Sequence, residues 1–241
     1  MYIVIGDHLN LSLVIPAYNE ESNIKKTVLE YNKELSTSRK FSKFEIILVS
    51  NNCNDNTPII CKKLAQNKNI IHLDIPYHVG KGGAVMAGFK KANYDYLAFV
   101  DADNSTKSHE FTKLIPKIQE RGVGAAIASR KANGAKLIKK QPAARLILGR
   151  TFAFLREILF NFEINDSQCG AKIFLKKAIL PLEIKSSGWA FDIELLYKVK
   201  LNNYKIAEVG ILWEDSTTSK VNTLAPILMF IDLIKIRLSF L

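Results

Sequence analysis

Short apolar runs alternate with polar-apolar stretches of helical length through the first half of this 241-residue chain. Because short β-branched runs form buried strands and longer amphipathic stretches form helices, the pattern predicts strand-helix units that build a mostly parallel sheet. The predicted strands are 11–15, 44–49, 70–75, 96–100 and 124–128, and the predicted helices are 20–35, 57–66, 83–92 and 110–121. Further along, we expect helices at 143–160 and 190–199 and a strand at 205–209. The sequence therefore predicts an α/β fold with helices flanking a central sheet.

Four of the predicted strands end in loops that are polar, rich in glycine, or contain cyclic side chains such as those of Pro16, Tyr18 and His78. These loops are 16–21 (Pro-Ala-Tyr-Asn-Glu-Glu), 50–57 (Ser-Asn-Asn-Cys-Asn-Asp-Asn-Thr), 78–83 (His-Val-Gly-Lys-Gly-Gly) and 101–103 (Asp-Ala-Asp). Ligands of parallel α/β sheets bind at the carboxyl ends of the strands. We therefore expect the four loops to form one composite cleft.

The loop after the fourth strand carries two carboxylates one residue apart, Asp101 and Asp103. At a strand end this spacing suits two hard oxygen ligands of one divalent cation, an arrangement that neutralises a nucleotide diphosphate. The next position in register offers Ser105 as a third ligand. The alternative is a solvated turn or a helix cap, since Asp-x-Asp is common in loops.

The net charge of +11 indicates an anionic partner, which is a nucleic acid, an anionic membrane surface or a phosphorylated substrate. From 121 to 156 the chain has nine basic residues and no acidic one. This stretch is predicted to be a local anion site or a membrane-facing patch, and the alternative is a solvated basic face. Aromatic residues are not interleaved with it and no recognition motif is present, so a nucleic-acid partner is not expected.

The three cysteines form no Cys-x-x-Cys pair and have no matched histidine spacing. Such usage favours reduced thiols in a cytosolic compartment over a disulfide framework or a structural zinc site. The first residues lack the pattern of a cleavable signal, which predicts an amino terminus inside the cell. With 241 residues and 48% hydrophobic composition, we expect one substantial domain, placed at 1–223.

The apolar stretch 224–241 is assigned to a separate terminal helix. It would extend about 27 Å, barely enough to cross a bilayer, and Asp232, Lys235 and Arg237 make spanning costly. Asp232, Lys235 and Ser239 form a narrow polar stripe on an otherwise apolar helix. Two interpretations stay open: a helix lying in a membrane interface and a helix packed on the protein body.

Five segments together carry a family resemblance: Val14-Ile-Pro-Ala-Tyr-Asn-Glu-Glu21, Gly80-Lys-Gly-Gly-Ala-Val85, Asp101-Ala-Asp103, Asp166-Ser-Gln-Cys-Gly-Ala-Lys172 and Trp189-Ala-Phe-Asp-Ile-Glu-Leu-Leu196. The chain resembles glycosyltransferase family 2, and within it the polyprenyl-phosphate sugar transferases, first those that make dolichyl-phosphate glucose and next those that make dolichyl-phosphate mannose. The resemblance implies a GT-A fold, a nucleotide-sugar donor, Mg²⁺ or Mn²⁺, and a lipid phosphate acceptor reached by peripheral contact with the cytoplasmic face of a membrane.

The resemblance also implies residue roles. Donor-binding roles fall on Pro16, Ala17, Tyr18, Glu20, Ser50, Asn51, Lys81, Asp101, Ala102, Asp103, Trp213 and Lys220, and acceptor or catalytic roles on Arg130, Arg145, Asp166 and Gln168 together with the two metal-binding aspartates. The chain departs from the family where the acidic pair Asp-Asp is replaced by Ser50 and Asn51. Trp213 and Lys220 resemble a flexible segment that closes over the donor.

The expected reaction is an inverting transfer of a hexose, with glucose and UDP-glucose favoured, to dolichyl or another polyprenyl phosphate. A phosphate monoester has a second pKa near about 6, so its oxygen attacks without a strong general base. The alternatives are a GDP-mannose-dependent enzyme, a family member acting on a saccharide or protein, and a catalytically silent nucleotide-sugar-binding protein. The last alternative is motivated by the altered Ser50-Asn51 loop.

Overall fold

The computed structural model describes residues 8–137, 143–181, 183–186, 188, 190–214 and 225–240, with the backbone alone for 143–150 and 225–229. The strands are β1 (Leu9–Ala17), β2 (Phe41–Asn51), β3 (Ile70–Ile75), β4 (Tyr96–Val100), β5 (Val123–Ser129), β6 (Lys136–Leu137), β7 (Ala171–Leu175), β8 (Lys205–Gly210) and β9 (Leu212–Trp213). The helices are α1 (Ile24–Thr37), α2 (Thr57–Leu64), α3 (Gly80–Lys91), α4 (Ser108–Phe111), α5 (Ile115–Ile118), α6 (Ala143–Phe160), α7 (Phe191–Leu201) and α8 (Ala225–Leu238).

Seven strands form the central sheet in the order β3-β2-β1-β4-β7-β5-β8. All neighbouring pairs are parallel except those of β7, which runs antiparallel to β4 and to β5. The predicted α/β fold with a mostly parallel sheet is confirmed. The winding direction reverses between β1 and β4, and the loops that follow these two strands therefore border the crevice in which such sheets bind ligands.

The sheet is buried on both faces, as expected for parallel strands covered by helices. Successive residues of β1 show this: Leu13 packs in the cluster that contains Tyr31 of α1, and Val14 packs in the cluster that contains Phe89 of α3. Helix α3 lies very close to the sheet because Gly88 has no side chain; a Cβ at this position would lie 2.5 Å from Cγ1 of Val14. This close packing fixes the helix whose first turn carries Lys81.

Two predicted helices show the largest differences from the observed ones. The predicted helix 110–121 is broken into α4, a 3₁₀ turn at Thr112–Leu114 and α5. Pro116 lies inside the predicted helix, and proline both lacks an amide hydrogen and disfavours the helical conformation before it. Helix α1 begins at Ile24 rather than at residue 20, after Asn19 adopts a left-handed conformation with φ 53°.

Strand β7 was not among the predicted strands. Its five residues include Lys172, which is fully buried, and an antiparallel insertion has no strand-helix signature in the sequence. The strand pairs with β4 from Tyr96 to Val100 and so places the segment that precedes it against Asp101.

Helix α8 packs along α6, with Leu233 and Ile236 buried. Phe230, Ile231, Ile234 and Leu238 of the same helix are exposed. Among the described residues, no helix has both the length and the apolar character required to cross a membrane. The division at 223/224 stays a prediction.

Candidate active site

The loops that follow β1 and β2 are joined by hydrogen bonds between their side chains and backbone. The amide of Asn54 donates to Oδ1 of Asn19 at 2.8 Å, and the amide of Glu20 donates to Oγ1 of Thr57 at 2.8 Å. Oδ1 of Asp55 accepts from the amide of Thr57, the first residue of α2, and so fixes the turn that leads into this helix. The first two predicted loops therefore form one rigid unit.

The predicted nucleotide segment lies at the end of β1 in this unit. Pro16 is half-buried, Ala17 is buried, and the ring of Tyr18 is 44% exposed. Glu20 accepts a hydrogen bond from the side-chain amide of Asn23 at 2.9 Å. An exposed ring beside a carboxylate is suited to a base and the hydroxyls of its sugar.

Asn51 joins the second loop to the third. Its Oδ1 accepts from the amide of Val79 at 3.1 Å, and its Nδ2 donates to the carbonyl of Gly80 at 3.3 Å. Asn51 is buried and holds the chain where α3 begins. Its predicted donor contact stays a prediction, and its observed contacts position the loop that carries Lys81.

Ser50 is fully buried, and its Oγ lies 2.6 Å from Oδ1 of Asp74 and 2.8 Å from Nε2 of His72. A hydroxyl has one proton and a carboxylate only accepts, so we assign the Ser50 proton to Asp74 and an Nε2–H donor to His72. Burial lowers the pKa of His72 and favours this neutral form. Ser50 itself carries no charge, and the carboxylate beside it is that of Asp74 in β3.

Lys81 and Asp101 form an ion pair, with 2.5 Å between Nζ and Oδ1. The pair joins the third predicted loop to the fourth. Burial raises the pKa of Asp101, an effect that the Lys81 charge opposes and the Asp103 charge supports. The Asp101 carboxylate therefore lies where a cation is already accommodated.

The second carboxylate of the motif is held in a tight turn. Oδ1 of Asp103 accepts hydrogen bonds from both the amide of Ser105, at 3.0 Å, and the Ser105 hydroxyl. Ser105 is 8% exposed, and its predicted role as a metal ligand stays a prediction. Its observed role is to orient Asp103.

Gly170 leaves room for the Asp101 carboxylate. A Cβ at this position would lie 1.7 Å from Oδ2 of Asp101, and the Gly170 carbonyl accepts from the amide of Asp101 at 3.1 Å. A side chain at this position would displace the Asp101 carboxylate. Sequence reasoning included this residue in a motif but assigned it no role, because the antiparallel β7 that brings it to Asp101 was not predicted.

The two aspartates fit a divalent cation shared with a diphosphate. Within the residues that the structure describes, no three His, Cys, Asp or Glu side chains converge as a ligand set. Mg²⁺ and similar hard cations are commonly held by one or two carboxylates and completed by substrate phosphates and water. Asp101 and Asp103 offer this donor set, and the cationic Lys81 beside Asp101 shows that a positive charge is tolerated there.

Arg130 and Asp166 form a bidentate ion pair at the end of β5. Nε and Nη2 of Arg130 donate to the two carboxylate oxygens at 2.7 and 2.8 Å, and the Arg130 amide donates to Oδ2 at 3.0 Å. Although burial opposes ionisation, these bonds lower the pKa of Asp166 to about 2. The predicted phosphate contact of Arg130 stays a prediction, and its guanidinium is occupied by Asp166 in this structure.

Trp213 lies over this pair, with its ring centre 5.3 Å from Cζ of Arg130. The indole is 6% exposed in β9 and packs in the hydrophobic core. Trp213 therefore supports Arg130 from a buried position. Lys220, which sequence analysis placed in the same closing segment, lies outside the described residues.

The loop that carries Asp166 is held from two sides. The Glu208 carboxylate accepts from the amides of Asn165 and Asp166 at 3.0 and 2.7 Å, and Nη2 of Arg156 donates to the carbonyl of Ile164 at 2.7 Å. The amide of Gln168 donates to Oδ1 of Asp166 at 3.2 Å. Sequence reasoning missed Glu208, since its partners are more than 40 residues away.

Arg156 is 4% exposed and so belongs to the fold rather than to an anion-binding surface. It is one of the nine basic residues of the acid-free stretch. The side chain of Arg145, the second predicted phosphate ligand, lies outside the described part of the chain.

Another buried ion pair joins β7 to α7. Nζ of Lys172 is 2.6 Å from Oδ1 of Asp192, and both side chains are almost fully buried. Glu194 accepts hydrogen bonds from the amides of Lys185 and Ser186 at 2.9 and 2.8 Å. Both carboxylates of α7 therefore have structural roles in the fold.

The fold and the paired carboxylates at its switch point define a GT-A glycosyltransferase. The model of the family described as glycosyl transferase family 2 matches residues 12–180. The chain belongs to glycosyl transferase family 2.

Several named proteins are similar to it. The dolichyl-phosphate beta-glucosyltransferase of Dictyostelium discoideum is 31% identical over 250 residues, which cover 98% of this chain and 76% of that protein. The enzyme of the same name from Saccharomyces cerevisiae is 30% identical, with 98% and 76% covered. Glycosyltransferase AglD of Haloferax volcanii is 28% identical over 91% of this chain, which spans only 35% of its length.

Among solved structures, the chain resembles glucosyl-3-phosphoglycerate synthase from Mycobacterium tuberculosis, crystallised with Mn²⁺, UDP-glucose and phosphoglyceric acid. The TM-score is 0.69 with 17% identity, and the match covers 96% of this chain and 79% of that chain. At this identity the likeness concerns the fold.

Proposed function

We propose that this chain transfers glucose from UDP-glucose to dolichyl phosphate or a similar polyprenyl phosphate, with Mg²⁺ or Mn²⁺ held by Asp101 and Asp103. One observation carries the proposal: Asp101 contacts Lys81 of the predicted donor loop on one side and Gly170 of the predicted acceptor motif on the other. The names of the relatives that are 30% or more identical supply the sugar and the acceptor. The Mn²⁺ and UDP-glucose bound to the protein of similar fold support the donor and the metal.

The residues divide the work of the reaction between them. A divalent cation bound at Asp101 and Asp103 would supply charge neutralisation for the departing diphosphate. Lys81, at the first turn of α3, adds a second positive charge beside the same position. A phosphate monoester is largely dianionic at neutral pH, so positioning rather than proton removal is required of the protein.

The buried side chains support this assignment. The charge of Asp192 on α7 acts on Lys81, yet Asp192 is 2% exposed and paired with Lys172, which leaves it unsuited to accept a substrate proton. The Arg130–Asp166 pair keeps the acceptor-side loop rigid. A mechanism without a general base is consistent with both pairs.

Peripheral contact with the cytoplasmic face of a membrane is the second part of the proposal. Phe154 and Ile158 of α6 are 65% and 64% exposed, and Leu238 of α8 is 63% exposed. Residues four apart lie on one helix face, so Phe154 and Ile158 form an apolar strip. Such a strip on a protein of net charge +11 is suited to an anionic lipid surface.

The test is a transfer assay with purified protein and radiolabelled donors. UDP-glucose and GDP-mannose are each supplied with and without dolichyl phosphate, and with Mn²⁺, Mg²⁺ or a chelator. We expect lipid-linked glucose from UDP-glucose only with metal and dolichyl phosphate, and none from the Asp103→Ala variant. The matched control, Asp95→Ala, changes an exposed aspartate beside β4 and retains activity.

Each other pattern selects an alternative. Transfer from GDP-mannose identifies a mannose-specific enzyme, and transfer without lipid phosphate identifies a saccharide or protein acceptor. Donor binding without turnover under all conditions identifies a silent binding protein. Full activity of Asp103→Ala rejects the metal assignment.

A further inference from the structure

Three side chains of α1 contact the loop that carries the Asp-Ala-Asp motif. Oγ1 of Thr27 donates to the carbonyl of Ala102 at 2.7 Å, and the Tyr31 hydroxyl donates to the carbonyl of Thr106 at 2.8 Å. Between them, Glu30 accepts from Nδ2 of Asn104 at 2.8 Å. Positions i, i+3 and i+4 lie on one face of a helix, so these three side chains form a single row against the loop.

Glu30 also fixes the far end of the loop. Its Oε1 accepts from the amide of Ser108 at 3.1 Å, where α4 begins. Burial opposes ionisation of Glu30, but the hydrogen bonds from Asn104 and Ser108 outweigh it and lower its pKa. The Glu30 carboxylate therefore stays available as an acceptor for both Asn104 and Ser108.

These contacts are buried and specific. Thr27 and Tyr31 are 0% exposed, and Asn104 is 6% exposed with a left-handed φ of 58°. Buried carbonyls of an irregular loop have no strand partner to satisfy them, so the loss of a donor leaves them unpaired at a cost. The row on α1 thus selects one conformation of the loop between Asp101 and Ser108.

We propose that Thr27, Glu30 and Tyr31 are positioning residues that set the affinity of the Asp101–Asp103 turn for its divalent cation. The inference rests on the proposed function in one respect, that a cation binds these two carboxylates. The hydrogen bonds that these three side chains make to the loop go to its carbonyls, to Asn104 and to Ser108, rather than to the two carboxylates. Residues that orient metal ligands in this indirect way typically change metal affinity or activity by about 10- to 100-fold when they are replaced.

The test measures Mn²⁺ binding directly, by the loss of the free Mn²⁺ electron paramagnetic resonance signal in the presence of UDP. Tyr31→Phe removes one hydroxyl and retains the ring, and we expect the Mn²⁺ dissociation constant to rise about 10-fold. Tyr197→Phe is the matched control. The Tyr197 hydroxyl on α7 accepts a hydrogen bond from Arg237 at 3.0 Å, and removal of this hydroxyl should leave the Mn²⁺ affinity unchanged.

Thr27 provides a second, independent pair of variants. Thr27→Val deletes the donor with little change in volume and should also weaken Mn²⁺ binding about 10-fold, whereas Thr27→Ser retains the hydroxyl and should restore it. Thermal unfolding in metal-free buffer confirms that each variant is folded. A loss of stability without a change in Mn²⁺ affinity would show that the row is structural only.

The outcomes separate this inference from the proposed function. Wild-type affinity in both Tyr31→Phe and Thr27→Val overturns the positioning role, as does a wild-type protein that binds no Mn²⁺. A wild-type protein that binds Mn²⁺ but transfers no glucose to dolichyl phosphate rejects the proposed function, and the positioning role is then decided by the Mn²⁺ affinities alone.

Discussion

Nζ of Lys81 lies 2.5 Å from Oδ1 of Asp101, above the rings of Phe99 and Phe191 at 5.7 and 6.0 Å from their centres. Burial favours the neutral amine, but the charges of Asp101 and Asp192 outweigh it and raise the pKa of Lys81. The pair joins the first turn of α3 to the end of β4. Lys81 therefore balances the charge of Asp101 in the metal-free protein.

Lys81→Met should destabilise the metal-free protein more than the metal-loaded one. Removing the ammonium leaves the partly buried Asp101 without its partner, and we expect the free energy of unfolding to fall by about 1–3 kcal/mol. Added Mn²⁺ should restore part of this loss, because the cation supplies the missing charge. Urea unfolding with and without Mn²⁺ measures both values. The control is Lys90→Met, an exposed position of the same helix; an equal loss with and without Mn²⁺ would contradict the expectation.

Gly170→Ala should impair catalysis through Asp101. The new Cβ would lie 1.7 Å from Oδ2 of Asp101, so the carboxylate must move. A misplacement of about 1 Å in a catalytic constellation costs about 100-fold in rate. We expect this loss in glucose transfer, measured as kcat/KM for the donor.

Gly188→Ala is the matched control for Gly170→Ala. Its Cβ would lie 3.5 Å from Oδ2 of Asp232, an ordinary contact, so activity should be retained. Near-normal activity of Gly170→Ala would mean that the exact place of the Asp101 carboxylate is unimportant.

The Arg130–Asp166 pair should make stability depend on acid pH. The pKa of Asp166 is lowered to about 2 in the folded protein, against about 3.9 for an unfolded chain. A lowered pKa contributes stability that is complete above about pH 5 and is lost as pH falls through the folded pKa, an effect of about 2–3 kcal/mol in total. Unfolding of the wild type by urea should therefore become easier between pH 5 and pH 3.

Asp166→Asn should be less stable than the wild type at neutral pH, and this difference in the free energy of unfolding should shrink at acid pH. It leaves Arg130, whose side chain is 19% exposed, without its charge partner, and we expect a loss of about 3 kcal/mol at pH 7. This deficit should shrink below about pH 5, where the wild type begins to lose the same contribution. Asp95→Asn, at an exposed position, is the control. A deficit of Asp166→Asn that is constant from pH 7 to pH 3 would show that the Arg130–Asp166 pair does not cause the pH dependence of stability.

The sequence predicted six of the nine strands described above, because each of these six is a short apolar run that ends in polar residues. Strand β3 and helix α6 have the predicted bounds, and Asp101 follows β4 as expected. These features depend on local composition and on periodicity. A physical reading of neighbouring residues is sufficient for them.

The support of the site could not be predicted in this way. Arg130 and Asp166 are 36 positions apart, and Tyr31 and Thr106 are 75 apart. Such pairs depend on the strand order, in particular on β7, whose insertion between β4 and β5 left no local signal. Thr27, Glu30 and Tyr31 could have been noticed as a polar row on a helix face, but their partners appear only in the fold.

The exposed apolar strip on α6 should determine membrane binding. Phe154 and Ile158 are 65% and 64% exposed, so Phe154→Ser with Ile158→Ser should leave the free energy of unfolding nearly unchanged. Each side chain transferred from water into lipid contributes about 1.5–3 kcal/mol, and their joint loss should weaken binding to anionic vesicles more than 100-fold. Cosedimentation with vesicles that contain phosphatidylserine measures this affinity. Leu29→Ser changes a residue that is 49% exposed on α1, which packs on the other face of the sheet, and should bind like the wild type. Equal binding by the double variant and the wild type would place the membrane contact elsewhere on the protein.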